Sequence, residues 1–321
     1  MTAPRVLVTR RWPADAEAAM AAAFDVTFNE GDVAMSPQAL AEALRSFDAV
    51  APTVSDRLTA DLFEGATAKI VSNYGVGYTN IDTEAAKKAG ITVTNTPGVL
   101  TDCTADLAMA LMLSAARRLG EGERELRAGK WTGWRPTHMI GVKPTGATLG
   151  VIGFGRIGQA VARRAHHGFA MKVIYFDAYP IPAEAAAAVG AEQRASVEDV
   201  LREADFVTLH TTGGAENRHL INAERLAIMK PGAVLVNTAR GECVDEAALA
   251  QALKDGPIAA AGLDVFEEEP KVNPALMAME NAVLAPHLGS ATHSTRVAMG
   301  MTALENLKAF FDGREPPNRV A

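Results

Sequence analysis

Cysteine is nearly absent. Cys103 and Cys243 are the only two in 321 residues, too few and too far apart for a disulfide framework or a metal-ligand spacing. Reduced thiols in a cytoplasmic protein are the expectation, and no metal site is expected. No apolar run approaches the roughly 18 residues of a membrane span, which leaves no membrane role. No Lys/Arg cluster offsets the formal charge of −7, which argues against a nucleic-acid surface. No solenoid-type repeat is visible, and no low-complexity tract beyond the alanine-rich Ala183–Ala188. No signal-peptide pattern precedes the strand-like Arg5–Thr9. What remains is 48% hydrophobic and 21% charged, the balance of a globular protein long enough for about two domains.

The organising stretch runs from Thr148 to Asp177. A short apolar run (Leu149, Val151, Ile152) breaks at Gly153-Phe154-Gly155-Arg156-Ile157-Gly158. An amphipathic segment follows, then a second β-branched run, Val173 to Phe176, ending at an acid. This spells strand, glycine turn, helix, strand. Gly153 permits the turn, Gly155 lets backbone N–H groups approach a pyrophosphate, and Gly158 lets the helix pack near the strand. Asp177 is placed to accept from the adenine-ribose hydroxyls. A carboxylate there repels a 2′-phosphate, and Ala178-Tyr179-Pro180 supplies no cation, so NAD(H) is expected over NADP(H).

Elsewhere strands and helices alternate, implying parallel βα units. Strands are expected at Arg5–Thr9, Val26–Phe28, Ala49–Ala51, Lys69–Ser72 and Ile91–Thr94. Helices are expected between them, including Leu58–Phe63. A long Ala/Leu/Met helix, Asp102–Arg118, opens the second domain. Further strands are expected at Phe206–His210, Ala233–Asn237, Ala259–Asp264 and Ala282–Ala285, before a final helix, Thr292–Phe311. The loop Asn73–Asp82 carries Gly75 and Gly77, a spacing that suits either an anion nest or an ordinary strand-to-helix turn. Trp131 and Trp134 sit in a loop-like stretch, where contact with the core or with another subunit is the expected role.

Chemistry in a doubly wound sheet sits beyond the C-terminal strand ends. Arg240, the acid cluster Glu267-Glu268-Glu269 and His287 each follow one of three successive strands. Taken with Asn73-Tyr74-Gly75-Val76-Gly77, Asn95-Thr96-Pro97-Gly98, Gly150–Gly158, Asn237-Thr238-Ala239-Arg240-Gly241, Gly262–Phe266 with Glu269-Pro270, and Pro286-His287 with Gly289-Ser290, they resemble the D-isomer-specific 2-hydroxyacid dehydrogenase family over essentially the full length. Within it the chain is most similar to glyoxylate/hydroxypyruvate reductases.

The resemblance implies an α/β protein of two doubly wound parallel-sheet domains with a cleft between them. Residues 1–96 and 290–321 would form a flavodoxin-like substrate domain, and 97–289 a Rossmann-type NAD-binding domain. It implies reduction of a short 2-keto acid, glyoxylate or hydroxypyruvate, by hydride from NADH. Arg240 would bind substrate, and His287 would be the acid/base, paired with Glu269. A carboxylate beside an imidazole favours its charged form. Glu267 and Glu268 would be solvated. Val76, Gly77 and Trp134 would join Arg240 and His287 around the substrate. The cofactor would meet Thr104, Gly153, Gly155, Arg156, Ile157, Gly158, Asp177, His210, Thr211, Thr238, Ala239, Arg240, Asp264, His287 and Gly289. A homodimer is implied. One departure is Thr212, where the family commonly has proline. A D-lactate or phosphoglycerate type of dehydrogenase, or a non-catalytic NAD-sensing protein, are the alternatives.

Overall fold

The apolar runs become short strands because each can be covered by helices on both faces, as parallel sheets require. A computed structural model of the chain describes residues 3–321. The chain divides into two units, Met1–Leu100 with Ala291–Ala321, and Thr101–Ser290.

In the first unit β1 (Arg5–Val8), β2 (Asp25–Phe28), β3 (Ala49–Ala51), β4 (Ile70–Ser72) and β5 (Thr92–Thr94) form a parallel sheet in the order β2-β1-β3-β4-β5. Every residue of β3 and β4 is buried. One face packs Leu40, Leu44, Leu62 and Phe63 against Val50 and Val71. The other packs Trp12 and Met20 with Leu304 and Leu307 of the helix His293–Phe311. At Gly300 that helix comes so close that a Cβ would lie 2.5 Å from Ala16 Cβ. The expected helix Leu58–Phe63 is only a 3-10 turn, Ala60–Phe63. Leu58 instead bridges to Ile81 and is fully buried, so tertiary pairing overrides its helical spacing.

The second unit holds β6 (Thr148–Ile152), β7 (Lys172–Phe176), β8 (Glu192–Gln193), β9 (Phe206–Leu209), β10 (Val234–Asn237), β11 (Ala260–Leu263) and β12 (Ala282–Leu284). They pair in parallel in the order β12-β11-β10-β9-β6-β7-β8. The order reverses between β6 and β9, which opens a crevice at their C-terminal ends. The helix Thr101–Ala116 buries Met109, Leu111 and Met112, and a Cβ on Gly262 would lie 3.1 Å from the Leu111 carbonyl oxygen. Helix and sheet therefore meet backbone to backbone at that point. Leu119–Arg127, absent from the sequence reading, is a helix with no buried residue. Among the described residues no helix is long and apolar enough to cross a membrane.

Candidate active site at the strand ends of the larger unit

The glycine turn sits at the end of β6 beside the loop that follows β9. Gly153 has φ +89°, and a Cβ there would lie 2.6 Å from the His210 carbonyl carbon, so only glycine fits. Gly158 is equally constrained, with the Gly153 carbonyl oxygen 2.2 Å from where a Cβ would stand. Gly155 differs: nothing lies within 4 Å of its would-be Cβ. It caps the helix Arg156–Phe169, and no side chain accepts from the helix's first N–H groups. A helix N-terminus in that condition presents orphan donors to an anion. Arg156 is exposed and makes no ion pair among the described residues. Ile157 is half-buried behind it.

Asp177 follows β7 and reaches back across the turn. Its Oδ2 accepts from Phe154 N–H at 2.6 Å and its Oδ1 from Tyr179 N–H at 2.8 Å. The carboxylate is thus fixed beside the glycines. On the next strand end, burial pulls the His210 imidazole down to about 3, so the ring is neutral. Its Nε2 lies 2.8 Å from the Thr208 hydroxyl, while Nδ1 is shielded from solvent with no partner. Thr211 lies with its hydroxyl 3.6 Å from Cys243 Sγ. Thr212, where proline was expected, is held by Asn217 Nδ2, which donates to its carbonyl at 3.0 Å. Thr238 Oγ1, after the next strand, is another buried polar atom without a partner among the described residues.

Arg240 follows β10. Asn237 shapes that turn, its Nδ2 donating to Arg240 O at 2.9 Å and its Oδ1 accepting from Ala239 N–H at 3.0 Å. The half-buried guanidinium donates through Nη1 to Ala239 O at 2.6 Å and forms no ion pair among the described residues. Burial pulls its pKa down, with Glu269 the largest opposing charge.

His287 follows β12 with a left-handed backbone, φ +54°. For a non-glycine residue that costs about 1–3 kcal/mol and must be over-determined by its surroundings. Asp264 does this. Its carbonyl accepts His287 N–H at 2.9 Å, Oδ1 accepts Leu288 N–H at 2.6 Å, and Oδ2 accepts Gly289 N–H at 2.8 Å. Burial raises the Asp264 carboxyl, and those N–H groups with His287 oppose the rise. Thr104, from the helix Thr101–Ala116, donates to Gly289 O at 3.0 Å and ties the same loop down from the other side.

The imidazole so placed meets Glu269, with Nδ1 2.7 Å from Oε2 and both side chains about a third exposed, at 35% and 36%. Glu269 Oε1 accepts Phe266 N–H at 3.0 Å. Burial alone would raise this carboxyl. The His287 hydrogen bond and charge, the Phe266 N–H and Arg240 outweigh it and leave Glu269 below its usual range. Nδ1 is committed to the carboxylate, so Nε2 is the nitrogen left to exchange a proton with a ligand.

Glu268 is exposed, but Glu267 is not a solvated charge. It accepts from Glu246 N–H at 2.9 Å and lies 3.0 Å from His219 Nε2, because the loop folds back onto the helix Glu246–Asp255. Trp131 and Trp134 are 52% and 82% exposed, which removes the core-packing role. Val76 and Gly77 lie in the other unit, in the turn after β4, where Asn73, Asn80 and Asn95 make hydrogen bonds that the sequence reading missed. For Asn73 and Asn80, their place on either side of two glycines was the available signal.

These residues fit a nicotinamide dinucleotide. The open space at Gly155, the uncapped helix start, the fixed Asp177 and the orphaned His210 Nδ1 and Thr238 Oγ1 all lie on loops at the same end of one sheet.

Known proteins agree with that reading. A sequence profile of the D-isomer specific 2-hydroxyacid dehydrogenase NAD-binding domain matches residues 109–289. The glyoxylate reductase of Thermococcus litoralis is 47% identical over 322 residues, covering 99% of this chain and 96% of its own. That of Korarchaeum cryptofilum is 46% identical with the same coverage. Among solved structures, the NADPH-dependent glyoxylate/hydroxypyruvate reductase of Sinorhizobium meliloti, in complex with NADP and malonate, superposes with a TM-score of 0.89 at 35% identity, covering 100% of this chain and 97% of that one. Rhodotorula graminis D-mandelate dehydrogenase gives 0.88 at 30%, covering 100% and 98%.

Proposed function

Since the chain belongs to the D-isomer-specific 2-hydroxyacid dehydrogenase family and is an NAD(P)-dependent oxidoreductase, we propose that it reduces glyoxylate or hydroxypyruvate with Arg240, Glu269 and His287 as its working side chains. The observation that carries this is the 2.7 Å His287–Glu269 pair on strand ends next to that of Arg240.

A bound nicotinamide would supply hydride to the carbonyl carbon. The remaining chemistry belongs to the chain. Arg240 offers its unpaired N–H donors to the substrate's carboxylate and keto oxygen in a planar fork. As negative charge gathers on that oxygen, the Nε2–H bond of His287 breaks and the O–H bond of the product alcohol forms. Glu269 stays on Nδ1, fixing the ring and balancing its charge while protonated. In the oxidative direction His287 takes the proton back. Val76 and Gly77, in the other unit, are proposed as further carboxylate-binding residues through backbone N–H groups that have no partner among the described residues. Asp264 is the scaffold of the His287 loop and would be the residue that meets the nicotinamide carboxamide.

NADH is proposed as the preferred donor. Asp177 is held by two N–H groups and followed by no cation, which suits two ribose hydroxyls and opposes a 2′-phosphate. A homodimer is also proposed. Leu119, Leu126, Trp131, Trp134 and Ile140 stand exposed along one stretch of chain, more apolar side chain than an isolated surface helix and loop need.

Initial rates with glyoxylate, hydroxypyruvate, pyruvate and phenylglyoxylate, each with NADH and NADPH, test the proposal. Turnover of the first two with NADH favoured supports it. Tight NADH binding without turnover of any 2-keto acid would replace it with an NAD-sensing role.

A further inference from the structure

Arg240 and Glu269 follow neighbouring strands, β10 and β11, and the segments that carry them meet at Gly241. A Cβ there would lie 1.9 Å from the Phe266 carbonyl carbon and 2.5 Å from Glu267 N. The backbone after Arg240 therefore rests directly on the Phe266–Glu267 peptide. Phe266 is also the residue whose N–H holds Glu269 Oε1. One such contact fixes a distance but leaves the two segments free to pivot about it. His219 supplies a further tie. Its N–H donates to Glu242 O at 2.7 Å, on the segment that follows Arg240. Its Nε2 lies 3.0 Å from Glu267 Oε2, on the segment that leads to Glu269. A carboxylate only accepts, so Nε2 carries the proton of that bond.

His219 has a left-handed backbone, φ +49°, as His287 does. A non-glycine residue in that region costs about 1–3 kcal/mol and persists only where its surroundings over-determine it. The parallel bridge between Ile221 and Val244 does so here. Ile221 N–H donates to Cys243 O at 2.9 Å, and Asp245 N–H donates to Ile221 O at 2.9 Å. The imidazole is left with Glu267 as its hydrogen-bond partner, because Asp245 Oδ2 stands 3.9 Å from Nδ1, beyond hydrogen-bond reach. Arg218 approaches the same Glu267 oxygen only to 3.5 Å, and the other oxygen is taken by Glu246 N–H. The His219 side chain is 35% exposed, so its removal opens no cavity.

We infer that His219 is a positioning residue that keeps the Arg240 and Glu269 segments in register, through Glu242 on one side and Glu267 on the other. The inference rests on the proposed roles of Arg240 and Glu269. His219→Gly separates it from a plain structural role, because glycine relieves the left-handed backbone and keeps the N–H while deleting the imidazole. Its Tm should stay within about 3 °C of wild type. Even so, kcat/KM for glyoxylate at saturating NADH should fall about 10- to 30-fold, since a misplacement near 1 Å costs up to about 10²-fold. The NADH dissociation constant should stay within about threefold of wild type. His219→Gln, whose amide can still donate to Glu267, should recover kcat/KM to within about threefold. Added to Glu267→Ala, His219→Gly should cost no further activity, because the imidazole acts through Glu267. A His219→Gly enzyme of full activity, a His219→Gln enzyme as slow as His219→Gly, or losses that multiply in the double variant would each overturn the inference. Should His219→Gly not fold, His219→Asn, tolerant of the same backbone and too short to reach Glu267, takes its place with the same outcomes. Wild-type turnover distinguishes the two levels. A wild type inert to every 2-keto acid defeats the reading of the site and the inference with it, whereas an active wild type with an equally active His219→Gly variant defeats the inference alone.

Discussion

Glu246 and Glu267 hold each other twice. Glu246 N–H donates to Glu267 Oε1 at 2.9 Å, and Glu267 N–H donates to Glu246 Oε1 at 2.7 Å. The second oxygen of Glu246 accepts Asn273 N–H at 3.2 Å. The segment that carries Glu269 is thereby fastened to a helix N-terminus, where negative charge is favourable. Glu267→Ala should cost about 1–3 kcal/mol in urea unfolding, because it leaves the buried Glu246 N–H unmet. Glu267→Gln keeps the acceptor and should cost less than half as much. Equal losses would show that charge, not the hydrogen bond, is what matters.

Two glycines of the same turn should behave in opposite ways. Gly153→Ala forces a Cβ into the His210 backbone from a φ of +89°, so it should lower Tm by several degrees or prevent folding. Gly155→Ala meets open space and an extended backbone. It should leave Tm within about 2 °C yet weaken NADH binding at least tenfold, because the methyl group occupies the approach of the pyrophosphate. Calorimetry and fluorescence titration read the two effects, and a Gly155→Ala variant that binds NADH normally would displace the dinucleotide from this turn.

Acid sensitivity should carry the mark of His210. Burial holds its folded value near 3, far below the roughly 6.5 of an unfolded chain. Between those values the unfolded state binds the extra proton, so stability falls as pH falls, with a slope approaching about 1.4 kcal/mol per pH unit. His210→Asn should flatten the unfolding profile from pH 6 to pH 4. Glu269 acts in a lower window. Its depressed value means its contribution is present above about pH 4.3, the usual glutamate value, and is lost as pH falls through the folded value. Unfolding of wild type and Glu269→Gln should therefore converge toward pH 3. A wild-type profile that stays level from pH 6.5 to pH 4 would contradict the buried neutral ring.

The parts of this molecule that were legible in sequence are those set by short-range rules. Glycines at Gly153, Gly155 and Gly158 have one steric meaning each, and alternating apolar runs placed nearly every strand. The positions of Arg240, Glu269 and His287 after three successive strands were legible from the apolar runs before them. What stayed hidden depends on distant pairings. Glu267 looked solvated because its partner Glu246 lies 21 residues away. Asn95 gave no sign that it would reach Val76 across 19 residues. The helix Leu119–Arg127 is amphipathic but largely polar and buries none of its residues, so no apolar run announces it. Leu58 read as helical because a bridge to Ile81 cannot be seen from spacing.

The account depends most on His287 as the group that gives the substrate oxygen its proton. The direct measurement is NADH oxidation with glyoxylate by His287→Gln, alongside its NADH dissociation constant. The expected result is a kcat lower by about 10²- to 10⁴-fold with NADH affinity within about threefold of wild type. A kcat within threefold of wild type would contradict it.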